Sequence, residues 1–168
     1  MRKSTTRFIL LAFSALVLVS CAKDSVDEEI NSIDHIAKTS VNYTYTDIEK
    51  DILSAINDYR MEKGFKELSP LGEISLEAED HNYYMVENGK VSHDNFGARY
   101  TTLVNSIGAK AVSENVAYGY HTADAVVKAW IKSDGHRENI ESNFTHFGVS
   151  VVEDAEGRNY FTNIFVRR

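Results

Sequence analysis

Three stretches of this sequence carry side chains suited to chemistry: Ser92-His93, Ser113-Glu114-Asn115-Val116, and the run from Trp130 through Ser133-Asp134-Gly135-His136-Arg137 to Asn139-Ile140. Imidazoles and carboxylates transfer protons. Two neutral imidazoles and a carboxylate, with water in the fourth place, also suit a divalent ion such as zinc. No local catalytic signature accompanies them: there is no Gly-rich loop closing on Gly-Lys-Ser/Thr, no Gly-x-Ser-x-Gly and no His-Glu-x-x-His. The one cysteine, Cys21, lies near the N-terminus, so thiol catalysis and Cys-ligated metal are excluded. His93, Glu114 and His136 are separated by 21 and 22 residues. Nothing local forces them together; each is expected in a loop or at a helix end, where functional side chains gather.

The elements that must position them are legible from periodicity. Thr46 with Glu49 forms a capping box, and Ile48, Ile52, Ala55, Ile56 and Tyr59 then share one helical face before Gly64. A second helix is expected from Ser69-Pro70, with proline at its first position, to Asn88-Gly89. A third covers about 99–107, and a fourth is capped by Thr122 and carries Val126, Val127 and Trp130. Gly135 breaks the chain before a short helix over 136–141. Residues 147–152 and 160–166 read as an antiparallel hairpin around Asp154-Ala155-Glu156-Gly157. Helices followed by a hairpin give an α+β class, helices packed on an antiparallel sheet.

The chain has 168 residues, 43 % of them hydrophobic and 26 % charged, enough for one domain with appendages. Arg2, Lys3 and Arg7 precede an apolar run of 12 residues from Phe8 to Val19. That run is short for ~30 Å of hydrocarbon but suits a signal peptide, assigned to residues 1–20. Its end, Leu18-Val19-Ser20-Cys21, resembles the lipobox of bacterial lipoproteins, which implies a lipid on Cys21 and attachment to a membrane. Residues 21–45 read as an acidic and polar tether. If flexible, it reaches about 25–30 Å. Removing the three basic residues of the signal takes the formal charge from −7 to −10; such a chain is repelled by nucleic acid. The acidic residues after Cys21 are similar to surface-export signals of some Gram-negative lipoproteins, and a solvated charge run reads equally well. Ala22 after the cysteine favours the outer membrane or cell surface over the inner membrane.

From residue 46 to 168 the chain resembles the bacterial, SCP-like branch of the CAP superfamily, which includes cysteine-rich secretory proteins, venom allergens and plant pathogenesis-related proteins. The resemblance rests on Asn57-Asp58-Tyr59-Arg60 ending the first helix, on Leu68 and Ala78, and on Ser92-His93. It continues through Glu114-Asn115, Trp130-x-x-Ser133-x-Gly135-His136-Arg137-x-Asn139-Ile140, and Phe147-Gly148-Val149. It implies an α-β-α sandwich with a central cleft lined by His93, Glu114 and His136, with zinc or another divalent metal at His93 and His136. Two positions depart from the pattern. Ser133 stands where a glutamate is expected, with Asp134 as a partial substitute, and Ser113 replaces the glycine before Glu114.

Three functions follow. The first is a cell-envelope binding module for an extracellular lipid, peptide or envelope component. The second is a metal-dependent hydrolase of extracellular peptide or envelope polymer using Glu114. The third is a structural or adhesive lipoprotein in which His93, Glu114 and His136 are only a polar latch.

Overall fold

The computed structural model describes residues 41–168. The signal segment, Cys21 and the tether up to residue 40 lie outside the described residues.

Helix α1 (Asp47–Glu62) begins where the capping box predicts: Glu49 N donates to the Thr46 hydroxyl at 3.4 Å, and Thr46 N donates to Glu49 Oε2 at 2.8 Å. There follow β1 (Ser69–Pro70), α2 (Gly72–Asn88), α3 (Phe96–Ile107), β2 (Ala111–Tyr118), α4 (Ala123–Lys132), α5 (Asp134–Glu141), β3 (His146–Glu153) and β4 (Asn159–Arg167). The strands form one sheet in the order β1-β3-β4-β2, antiparallel except where β1 joins β3.

Alternation along β4 divides the core. Phe161 and Phe165 face Ile52 and Ile56 of α1, Val126 and Trp130 of α4, and Ile140 of α5. Ile164 and Val166 face Ile74 and Ala78 of α2 and Leu103 of α3. The result is the expected α-β-α sandwich, with the sheet as its middle layer. Gly148 lets α2 approach closely: a Cβ there would lie 2.5 Å from Ser75 N.

Four expectations need correction. Pro70 does not open a helix. It lies in a two-residue edge strand, where Ser69 N and Leu71 N donate to Thr145 O and Phe147 O, and the proline between them needs no N–H. Gly135 does not break the chain; the helix boundary falls at Ser133, whose backbone is extended, and Gly135 lies inside α5. Residues 111–118 form a strand rather than a loop. Its four buried residues, Glu114 through Ala117, are consecutive because both faces are covered, so the alternation that marks a half-buried strand is missing. The folded body also starts before Thr46. Tyr43 OH donates to Glu49 Oε1 at 3.1 Å, Ser75 Oγ donates to Tyr45 OH at 2.9 Å, and Val41 O crosses against Gly72.

Candidate functional site

Strand β2 is at the edge of the sheet, and two successive residues on it aim at opposite layers. Glu114 points toward α2 and α3, and Asn115 points toward α5. Each gathers its own polar cluster.

On the first face, Arg99 of α3 clamps Glu114 with two bonds: Nε donates to Oε2 and Nη2 to Oε1, both at 2.8 Å. The fork of a guanidinium matches the two carboxylate oxygens. His93, in the loop before α3, places Nδ1 2.8 Å from Glu114 Oε1. Asn95 redirects the chain between them with a left-handed φ of 60°, which asparagine tolerates, and Arg99 Nη1 donates to Asp94 O at 2.8 Å. Below them, His81 of α2 is buried, with Nε2 2.8 Å from Ser92 O and 3.9 Å from Glu114 Oε1. A carbonyl only accepts, so the proton sits on Nε2 and the buried Nδ1 has no partner. The Glu114 side chain is 1 % exposed, that of Arg99 8 % and that of His93 53 %. Burial raises the pKa of Glu114. Hydrogen bonds from His93 and Arg99, with the charge of Arg99, outweigh it and leave the carboxyl below its ordinary value. Burial lowers the pKa of His81 despite the nearby carboxylate.

On the second face, Asn115 Nδ2 donates to His136 O at 3.0 Å, and Asn139 Nδ2 donates to Asn115 Oδ1 at 2.8 Å and to Glu114 O at 3.3 Å. These bonds tie α5 to the edge of β2 and so place His136. Trp130 Nε1 donates to Val116 O at 3.2 Å. Two carbonyls of the edge strand are thereby covered by side chains rather than left for another strand. The imidazole of His136 makes no hydrogen bond among the described residues. Burial first, and the charge of His93 second, lower its pKa.

Two cavities open beside β2. One, of about 220 Å³, is walled by His93, Phe96, Val112, Ser113 and Glu114. The other, of about 320 Å³, has His136 and Ser133 beside Tyr118 and Tyr120. Of the residues expected in the cleft, His93 and Glu114 are bonded to each other, and His136 and Ser133 share the second cavity. Asp134 is not in the cleft: its side chain is 85 % exposed and paired with Arg137 Nη2 at 2.8 Å. As the N-terminal residue of α5 it faces solvent, where a carboxylate favours the helix dipole.

The donor geometry does not suit a zinc site built on all three residues. Both oxygens of Glu114 are engaged by Arg99 and His93, and among the described residues no three His, Cys, Asp or Glu side chains are grouped to hold a metal. The imidazoles of His93 and His136 each keep a nitrogen without a protein partner.

Sequence reasoning missed Arg99 and His81. Arg99 stood only as the start of a helix, and its signal is a charge among apolar positions of α3. His81 lies on the buried side of α2, and a histidine in that place needs a polar partner, which Ser92 O supplies.

Residues 53–166 match the cysteine-rich secretory protein family, CAP. Two Bacillus subtilis proteins are similar in sequence. The uncharacterized protein YkwD is 34 % identical over 119 residues, covering 68 % of this chain and 46 % of its own length. The uncharacterized membrane protein YlbC is 32 % identical over 130 residues, covering 73 % and 35 %. The chain thus spans less than half the length of either relative. Among solved structures, an extracellular SCP-domain protein from Bacillus anthracis superposes with a TM-score of 0.63 at 26 % identity, over 71 % of this chain and 40 % of that one. An outer surface protein from Borrelia burgdorferi shares the fold, with a TM-score of 0.65 at 20 % identity over 76 % and 99 %. With the sandwich, the two clusters on β2 and the match over most of the folded body in agreement, the chain belongs to the CAP, or cysteine-rich secretory protein, family.

Proposed function

We propose that this chain is a cell-envelope binding module that takes an extracellular ligand along the edge of β2, between His93 and His136, and that Glu114 positions rather than catalyses. The observation that carries this reading is the clamp on Glu114. A general base needs a carboxylate oxygen within reach of a substrate proton, and here Arg99 and His93 occupy both. His93 and His136, with free nitrogens beside cavities, are the groups left for a ligand. The extracellular setting is supported by the Bacillus anthracis relative, whose description calls it extracellular. No helix among the described residues is long and apolar enough to cross a membrane. We assign attachment to a lipid on Cys21; mass analysis of the mature N-terminal peptide, with Cys21→Ser as control, tests it.

The binding test uses the full chain in mild detergent, with the two imidazoles followed by NMR. A short peptide, a peptidoglycan fragment and a fatty acid are added separately. Binding at the proposed site shifts the His93 and His136 ring signals, and His136→Ala removes the response. Turnover of any probe that Glu114→Gln abolishes in a folded protein would instead establish the hydrolase. A metal held by the two imidazoles alone is a second reading, favoured by their free nitrogens and by the effect of the His93 charge on His136. Zinc titration by calorimetry on the parent, His93→Ala and His136→Ala reads it directly. Binding lost in both folded variants supports the metal, and no binding by the parent removes it.

A further inference from the structure

A separate cavity lies away from β2, beyond the end of α1. It has a volume of about 530 Å³ and is walled by Arg60 and by residues 64–67 and 141–145, within the size range of small-molecule sites, about 300–1,000 Å³. Arg60 is 2 % exposed. It forms no ion pair among the described residues. Its partners are carbonyls: Nε donates to Lys66 O at 2.8 Å, and Nη1 donates to Ile140 O and, at 3.1 Å, to Ser142 O. A guanidinium has five N–H groups. Three are used this way, and the two on Nη2 have no acceptor in the protein. Nη2 is not sealed in the interior, and Arg60 is one of the residues that line the cavity. A buried guanidinium stays charged, and with neutral carbonyls as its only hydrogen-bond partners among the described residues it has capacity left for an anion.

The other walls narrow the choice. Phe65, whose ring centroid is 5.6 Å from Arg60 Cζ, and Phe144 supply an apolar surface. Lys66 adds a second cation, and Glu67 and Glu141 add two acidic groups, with Glu141 Oε1 accepting from Tyr59 OH at 2.6 Å. Ser142, Asn143 and Thr145 leave no apolar sleeve for a long acyl chain, and the two glutamates disfavour a polyanion. We propose that this cavity binds the free C-terminus of a short peptide. The terminal carboxylate bonds to Arg60 Nη2, the last side chain is apolar and lies along Phe65 and Phe144, and an ammonium further back meets Glu67 or Glu141.

Glycyl-glycyl-leucine and its C-terminal amide, titrated into the full chain in mild detergent and followed by backbone amide NMR, test this. The free acid shifts the amides of Gly64, Phe65 and Asn143, and binds about tenfold or more tighter than the amide, as loss of a charged hydrogen bond implies. Phe65→Ala, at a partly exposed position, weakens the acid severalfold with the fold intact, and Arg60→Lys removes the preference for acid over amide. Arg60 also ties three carbonyls; if that variant does not fold, the acid–amide comparison on the parent and Phe65→Ala decide. Equal binding of the two forms, no shift at these amides, or shifts confined to residues around His93 and His136 overturn the proposal. The last outcome would leave the β2 site standing, and failure at β2 would not touch this one.

Discussion

A carboxylate with both oxygens on a guanidinium and a third bond to an imidazole has little left with which to abstract a proton. Glu114 is therefore costly to disturb, and unequally so from its two sides. Removing Arg99 leaves a buried carboxylate without its main partner; Arg99→Ala is expected to cost about 3–5 kcal/mol. His93 is half-exposed, so His93→Ala costs about 1 kcal/mol. Urea denaturation of the two variants checks the order, and equal losses would mean that Arg99 is not the clamp.

The same cluster fixes a pH dependence. Glu114 has a folded pKa below its unfolded value. Its stabilisation is full above the unfolded value of about 4.3 and is lost as pH falls through the lower folded value. His81 also has a lowered folded pKa. The unfolded chain takes up that proton first, so stability begins to fall below pH ~6.5. Two acid-side slopes are expected: His81→Gln flattens the one that begins below the unfolded histidine value of about 6.5, and Glu114→Gln the one that begins below the unfolded glutamate value of about 4.3. Urea midpoints measured across pH 3–8 decide it; a slope unchanged by its own substitution removes that residue from the account.

At the scale of elements, the close approach of α2 to β3 depends on one missing side chain. A Cβ on Gly148 would meet backbone atoms of Ile74 and Ser75 at 2.7 and 2.5 Å, which cannot turn aside as a flexible side chain would. Gly148→Ala is expected to destabilise the domain by about 3 kcal/mol, the upper part of the usual overpacking range. A calorimetric melt matching the parent would show that the helix can shift at no cost. Elements with a local cause were readable from sequence: the Thr46–Glu49 box, the Thr122 cap and the final hairpin all lie where their residues predict. Those with a tertiary cause were not. Strand β2 is covered on both faces and so shows no period. Pro70 looks like a helix start, but the partners of its neighbours lie on β3. For the site, His93, Glu114 and His136 could be named from motif resemblance. The strand that sends Glu114 and Asn115 to opposite faces, and the arginine that occupies the carboxylate, depend on pairings across 15 or more residues.

The whole molecule has a formal charge of −7, which disfavours anionic partners at long range; recognition of an anion has to be short-range, at cationic or neutral groups such as the buried Arg60 and the partly exposed imidazoles of His93 and His136. Its boundary matters too, because the segment before Thr46 is joined to the body. Tyr43 shares Glu49 with the helix cap and with Val151 N, which donates to Glu49 Oε1 at 2.8 Å. Tyr45 packs against the α1 side of the core and accepts from Ser75 of α2, and the two rings meet edge-on at 4.8 Å. One carboxylate thus links the entering chain, the start of α1 and strand β3. A chain beginning at Thr46 loses both aromatic contacts and two hydrogen bonds. Partial burial of two aromatic rings and bonds of about 1 kcal/mol each place the loss near 3 kcal/mol relative to a chain beginning at Val41. For a domain of this size that lowers Tm by about 10 °C. Paired thermal melts of the two chains measure it, with Tyr45→Ala in the longer chain predicted to fall between them. Equal melting temperatures would mean that residues 41–45 add nothing to the stability of the folded body. A loss of the predicted size means that they belong to that body, with Glu49 as their joint to α1 and β3.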